Sequence, residues 1–144
     1  MKPHKPTTNV HVSTSRILKA GRGVFASVDI RAGQLIERCP VITLPASEYR
    51  LLKKTHLRDY FFLWGSGQKT AIALGFGTLY NHAWYPNATY KKELKKNMLA
   101  FYAIRPIKKG EEITVNYNEG VPGDLEPLWV SGIAPPNNLK KKRR

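Results

Sequence analysis

The sequence predicts a mainly β domain with little helix, and three observations carry that expectation. Apolar and polar residues alternate over short runs instead of recurring at helical spacing. Glycine turns separate the runs, at "KAGRG", "RAG" and "GSG". Only "PASEYRLLKKTHL" offers a helix, with Ser47 placed to cap it and Tyr49, Leu52 and His56 near one face.

Taken in order, residues 1–11 are a flexible start. "HVSTSRIL" alternates through Val12 and Ile17 and reads as a strand, and Gly21 and Gly23 supply the turn that follows. "VFASVDI" returns as a strand, "RAG" turns again, and "QLIERCPVITL" continues extended. After the helix candidate, "DYFFLWGSGQKTAIAL" reads as two strands around Gly65–Gly67. An internal echo lies 77 residues downstream: Ala26, Ile30, Gly33 and Ile36 match Ala103, Ile107, Gly110 and Ile113. Both segments read as strand, glycine turn, strand. One echo does not make a solenoid; it implies two similar β-turn-β pieces in one fold. From Gly120 the chain becomes rich in Pro and Gly, an irregular closing segment to residue 139, and Lys140–Arg144 form a basic tail.

With 144 residues, 42% of them hydrophobic, the chain has the size and composition of one self-supporting domain. Cys39 is its single cysteine, which excludes an internal disulfide and a cysteine-rich zinc cluster. His4, His11, His56 and His82 lack the close spacing of a metal motif, so no bound metal is expected. The N-terminus has no apolar stretch to serve as a signal peptide, and no apolar run is long enough to cross a bilayer. An intracellular protein without membrane contact is the expectation. "GRG" and "GFG" fit neither a dinucleotide fingerprint nor a P-loop, which disfavours nucleotide enzymes.

The formal charge is +14, from 24 Lys and Arg against 10 Asp and Glu. Without the basic tail, 19 cations still face those 10 acids, so the body is basic in its own right. Such a field attracts nucleic-acid phosphates or anionic lipid; for the tail alone, a solubilising role is the alternative.

The segment "TLYNHAWYPNATY" (78–90) is too polar for a core strand and too aromatic for a linker. Together with "KAGRGVFA" (19–26), "DYFF" (59–62) and "IRPIKKGEEITVNY" (104–117), it resembles the SET domain of protein lysine methyltransferases in order and spacing. The resemblance runs over 12–117 and is closest to compact virus-encoded SET proteins without flanking zinc domains. "NHxxxPN" paired with a downstream "GEEIxxxY" is its most specific element.

The resemblance implies small curved β-sheets around a C-terminal pseudoknot, S-adenosylmethionine as cofactor, and a protein lysine as methyl acceptor. It places Gly21, Arg22, Gly23 and Val24 along the methionine part of the cofactor, where glycine lets the backbone approach. Asn81 and His82 would meet its amino-acid and adenine portions, since Asn and neutral His each offer donors and acceptors. Asn87 would fix the loop after Pro86. Tyr117 is the expected catalytic residue: methyl transfer requires nitrogen, carbon and sulfur nearly in line, and a phenol can position the amine or sulfonium. It is not expected to act as a base, because a phenol near pKa 10 stays protonated at neutral pH. Tyr60 would sleeve the substrate lysine's stem, with Tyr80 either its companion or a core aromatic; Phe62 and Phe76 are read as core. Glu111 and Glu112 point to opposite faces of a strand, which suits a structural role better than shared acid–base chemistry.

Three positions depart from the family pattern. Ala83 replaces the usual serine after the Asn-His pair. No cysteine-rich segment follows Tyr117, so Trp129 either folds onto adenine or anchors the core. Val115 stands where some members carry an aromatic that limits methyl number, which leaves that number open.

Two functions fit. The first is an active lysine methyltransferase acting on a histone or other DNA-packing protein in nucleus, chromatin or nucleoid. Its basic surface, including "KKELKK" (91–96) and the tail, would hold the DNA that carries the substrate. The second is a non-catalytic nucleic-acid or chromatin-binding module on the same fold. The full set of Gly21, Gly23, Asn81, His82 and Tyr117 favours the enzyme. Oligomeric state, a dimer included, is left open.

Overall fold

The structure, a computed structural model, describes residues 8–126 and Leu128. In chain order the strands are β1 (Val10–Thr14), β2 (Arg22–Ala26), β3 (Leu35–Leu44), β4 (Phe62–Leu63), β5 (Thr70–Ala73), β6 (Asn81–His82), β7 (Ala88–Glu93), β8 (Met98–Ala103) and β9 (Glu112–Val115). They form a four-stranded sheet, β1-β2-β9-β6, and a five-stranded sheet, β4-β5-β3-β8-β7. A mainly β fold of small sheets is therefore what the chain adopts.

β1 begins at Val10, which is buried and pairs with Ala26, two residues earlier than the flexible start to residue 11 allows. It also stops at Thr14, short of Ile17, because the Ser15 amide donates to the Gly21 carbonyl at 2.9 Å and closes the intervening loop.

The internal echo is a contact made twice. Ile30 and Ile107 form an antiparallel bridge with reciprocal hydrogen bonds of 2.7 and 2.8 Å. The Gly33 amide donates to the Ala103 carbonyl at 2.7 Å, and Gly110 donates to Ala26 at 2.8 Å. Ala26 donates to Glu111 at 2.9 Å, and Ala103 donates to Gln34 at 3.0 Å. Adding 77 to one partner and subtracting it from the other converts each bond into its counterpart. The two β-turn-β pieces thus clasp each other about a local pseudo-twofold, with Ile30, Ile36, Ile107 and Ile113 buried between the sheets.

The helix candidate contracts. Ala46–Glu48 form a 3₁₀ turn, α1 (Tyr49–Leu52) is a single α turn, and His56–Asp59 form another 3₁₀ turn. Ser47 lies inside the first turn and caps nothing; the side-chain cap is Thr55, which accepts from the Leu57 amide at 3.2 Å. Leu52 is the only buried residue in these three turns, and an isolated helix this short has no stability of its own.

β9 lies between β2 and β6, antiparallel to the first and parallel to the second. Asn87 ties the loop after Pro86 to β9: its Nδ2 donates to the Glu112 carbonyl at 2.9 Å, and its Oδ1 accepts from the Thr114 amide at 2.9 Å. This brings the Asn-His pair beside the end of β9, where Tyr117 leaves the sheet.

Candidate active site

At the start of β2, Gly21 adopts φ +74°, a conformation glycine enters without strain. Gly23 has a different reason for being glycine. A Cβ there would lie 2.3 Å from Glu112 Oε1 and 3.0 Å from Asn81 Nδ2, so the vacant space belongs to the protein's own side chains. Glu112 accepts from Ser15 Oγ at 2.7 Å, from the Arg16 amide at 2.9 Å and from Asn81 Nδ2 at 3.0 Å. Asn81 Nδ2 also donates to the Arg22 carbonyl at 2.8 Å. Glu112 and Asn81 together fasten the glycine loop to β6 and β9. Their spacing of 31 residues concealed this connection from any local motif.

His82 is buried, and its Nδ1 accepts the Tyr117 amide hydrogen at 3.0 Å. That bond assigns the ring proton to Nε2. Burial pulls the pKa down to about 4, so the imidazole is neutral near pH 7. Nε2 is buried with no hydrogen-bond partner among the described residues. A buried donor in this state calls for an acceptor from outside the described residues. Adenine nitrogens and a carboxylate both qualify, so the residues here fit S-adenosylmethionine. The edge of His82 meets the Trp84 ring at a centroid distance of 4.3 Å.

Tyr117 is held at both ends. Its amide is bound to His82, and its hydroxyl donates to the Tyr80 carbonyl at 2.7 Å. The ring lines a narrow cavity of about 70 Å³ together with Tyr60, Phe62, Tyr80 and Val115. Burial first, then Tyr60 and Asp59, push the phenol well above its ordinary range. With its single hydrogen committed to Tyr80, the Tyr117 oxygen meets anything in the cavity as an acceptor.

Tyr60 is partly exposed and stands in the cavity wall at the end of the 56–59 turn. Tyr80 also borders the cavity, but it is only 2% exposed, with its ring stacked on Phe101 at 4.3 Å. Its hydroxyl donates to Glu37 Oε1 at 2.7 Å. Phe62 packs against the core edge-on to Tyr90 while also lining the cavity. Val24 is fully buried and Arg22 exposed. Trp129 and the Lys140–Arg144 tail lie outside the described residues.

Sequence reading allowed for acidic groups at the channel but named no residue for them. Asp59 and Glu119 line it and no described Lys or Arg does, although Arg58 lies 3.7 Å from Asp59 and Lys92 pairs with Glu119, on a chain of net charge +14. Asp59 sits inside the "DYFF" fragment, and Glu119 two residues beyond Tyr117, but nothing local says that they meet.

Fold and cavity together place the chain among the SET-type protein-lysine methyltransferases. Comparison with known proteins agrees: residues 21–118 match the SET domain model, and the chain belongs to that family. It is 36% identical over 118 residues to the H3 lysine-37 specific histone-lysine N-methyltransferase of Schizosaccharomyces pombe, covering 81% of this chain and 80% of the relative. A solved structure described as a histone methyltransferase of Plasmodium falciparum superposes with TM-score 0.65 at 28% identity, covering 78% of this chain and 96% of that one. A Chaetomium thermophilum Polycomb Repressive Complex 2 structure with S-adenosylmethionine bound shares the fold, with TM-score 0.62 at 24% identity over 80% of this chain and 16% of that one.

Proposed function

We propose that this chain transfers a methyl group from S-adenosylmethionine to the side-chain amine of a histone lysine, with Tyr117 as the catalytic residue. The observation that carries this reading is Tyr117 itself, fixed at both ends in the wall of a cavity bordered by carboxylates. Homologues named as histone-lysine methyltransferases support the choice of acceptor.

The cavity residues divide the work. Asp59, only loosely paired with Arg58 at 3.7 Å, draws a cationic side chain toward the cavity of a molecule whose overall field repels it, while Glu119 is already paired with Lys92. Tyr60, Phe62 and Val115 surround the apolar stem and strip its water, which lowers the lysine pKa from its ordinary value of about 10.4 and favours the nucleophilic neutral amine. The Tyr117 oxygen, able only to accept, would orient the amine and, with the cofactor bound, would accept weak C–H···O contact from the methyl it supplies. Its raised pKa keeps it protonated, so it positions without serving as a base. Gly21–Val24, Asn81 and His82 would hold the cofactor, with His82 Nε2 donating to it. When bound, S-adenosylmethionine supplies an electrophilic methyl on a positively charged sulfur.

The decisive experiment measures labelled methyl transfer to histone H3 by wild type and by Tyr117→Phe, with mass spectrometry locating the product. Labelled lysine, reduced on the order of a hundredfold in the variant, is expected. Full activity in the variant would refute the role of Tyr117.

Substrate delivery on DNA accounts for the remaining charge. Arg38, Lys92, Lys95 and Lys96 border one shallow groove. Among the described residues its one acid, Glu93, is paired with Arg38 at 3.0 Å and Lys92 is paired with Glu119, which leaves Lys95 and Lys96 to meet phosphate.

A further inference from the structure

β3 carries a residue that the scheme above does not use. Leu35 pairs with Tyr102, yet Glu37 pairs with Phe101, so Ile36 is an extra residue in a β-bulge. Register partners share a face of the sheet, and a one-residue shift turns a side chain to the other face. The bulge therefore sets Glu37 on the side of Phe101, facing inward, where regular pairing would have left it with Leu35 facing out. There the Tyr80 ring stacks on Phe101, and the Tyr80 hydroxyl donates to Glu37 Oε1 at 2.7 Å. The other carboxylate oxygen lies under the loop that precedes β6, 3.1 Å from where a Cβ on Gly75 would stand.

Tyr80 is thus fixed along its side chain by two strands of the five-stranded sheet. Its main-chain carbonyl, at the opposite end, receives the Tyr117 hydroxyl at 2.7 Å. Any shift of Tyr80 moves the acceptor that aims that hydroxyl. Even partly burying a carboxylate is costly, and an apolar pair would fill the same space. What the hydrogen bond adds is direction: its energy falls steeply with distance and angle, so it defines where Tyr80 stands. In-line transfer is sensitive to displacements of that size.

We propose that Glu37 and Tyr80 form a half-buried strut that positions the Tyr117 hydroxyl, which makes Glu37 a positioning residue for methyl transfer although it does not line the cavity. This rests on the reading of Tyr117 as catalytic.

The test compares kcat, histone KM, cofactor affinity by calorimetry and thermal unfolding in wild type, Glu37→Ala, Glu37→Gln, Tyr80→Phe, the double variant Glu37→Ala/Tyr80→Phe, and Tyr117→Phe. Tyr80→Phe keeps the ring and its stacking and carries the test alone if Glu37→Ala fails to fold. The strut predicts that Tyr80→Phe and Glu37→Ala each lower kcat about tenfold, with KM and cofactor affinity within about twofold. Glu37→Gln restores kcat, because its amide oxygen still accepts the phenol hydrogen. The double variant loses no more than either single one. Folded Tyr80→Phe with unchanged kcat, or losses that add in the double variant, overturns the strut while Tyr117→Phe stays impaired. An active Tyr117→Phe overturns the reading beneath it, because the strut would then have nothing to position.

Discussion

The imidazole of His82 receives the Tyr117 amide only while it is neutral, and burial holds its pKa near 4 against an ordinary 6.5. Between those values the unfolded chain binds the proton and the folded chain does not. Stability from this group is therefore complete above about pH 6.5 and is lost as pH falls toward 4. Wild type should lose about 2 kcal/mol more than His82→Gln between pH 7 and pH 5, measured by urea unfolding. Equal losses in the two proteins would show that His82 is not the group responsible. Gly23 makes a second prediction at this scale. Gly23→Ala puts a methyl 2.3 Å from Glu112 Oε1 and should destabilise by about 1–3 kcal/mol. In a Glu112→Ala background the same change should cost much less, since the atom it strikes is gone. The sequence marked Gly23 as special for its approach to a cofactor, whereas the crowding atoms are Glu112 and Asn81 from other strands.

Among the elements, the two β-turn-β pieces test the local symmetry. Ile30 is 2% and Ile107 1% exposed, and each is the other's bridge partner. Ile30→Ala and Ile107→Ala should cost similar amounts, about 2–5 kcal/mol each, in chemical denaturation. The double variant should depart from additivity because the residues touch. A large inequality between the singles would mean that the symmetry stops at the backbone. The strands were legible because period-two alternation and glycine turns are local signals: β3 spans most of "QLIERCPVITL", and β4 and β5 flank Gly65–Gly67. The 46–59 segment was overread. Its apolar spacing fits a helix, but the structure buries only Leu52 there, and packing stabilises helices more than propensity does. The bulge in β3 was invisible, because nothing in "LIERC" distinguishes an inward glutamate from an outward one.

For the whole molecule, +14 charges must coexist with a cationic substrate. The proposed arrangement sets Asp59 at the cavity and the cations Lys95 and Lys96 in the groove, with the groove's Lys92 paired to the cavity's Glu119. Duplex DNA affinity should fall steeply with salt, the logarithmic slope measuring the phosphates neutralised at about 0.9 per contact. Lys95→Glu/Lys96→Glu should weaken binding and flatten that slope in a filter or fluorescence titration, leaving transfer to a short free peptide intact. A slope unaffected by these substitutions would move the contact to another surface.

Class and chemistry were settled by short motifs. An Asn-His pair, a glycine turn and a terminal tyrosine are each written in a few adjacent residues, and composition alone excluded an internal disulfide. What those residues touch was settled by the return of distant chain: Tyr80 to Glu37 across 43 residues, Tyr117 to Tyr80 across 37, Ser15 to Glu112 across 97. Backbone preferences act over a few neighbours, whereas a hydrogen bond between remote side chains exists only after sheets pair in one register. For that reason the sequence named Tyr117 as the candidate, and only the folded chain revealed what its amide and hydroxyl are bonded to.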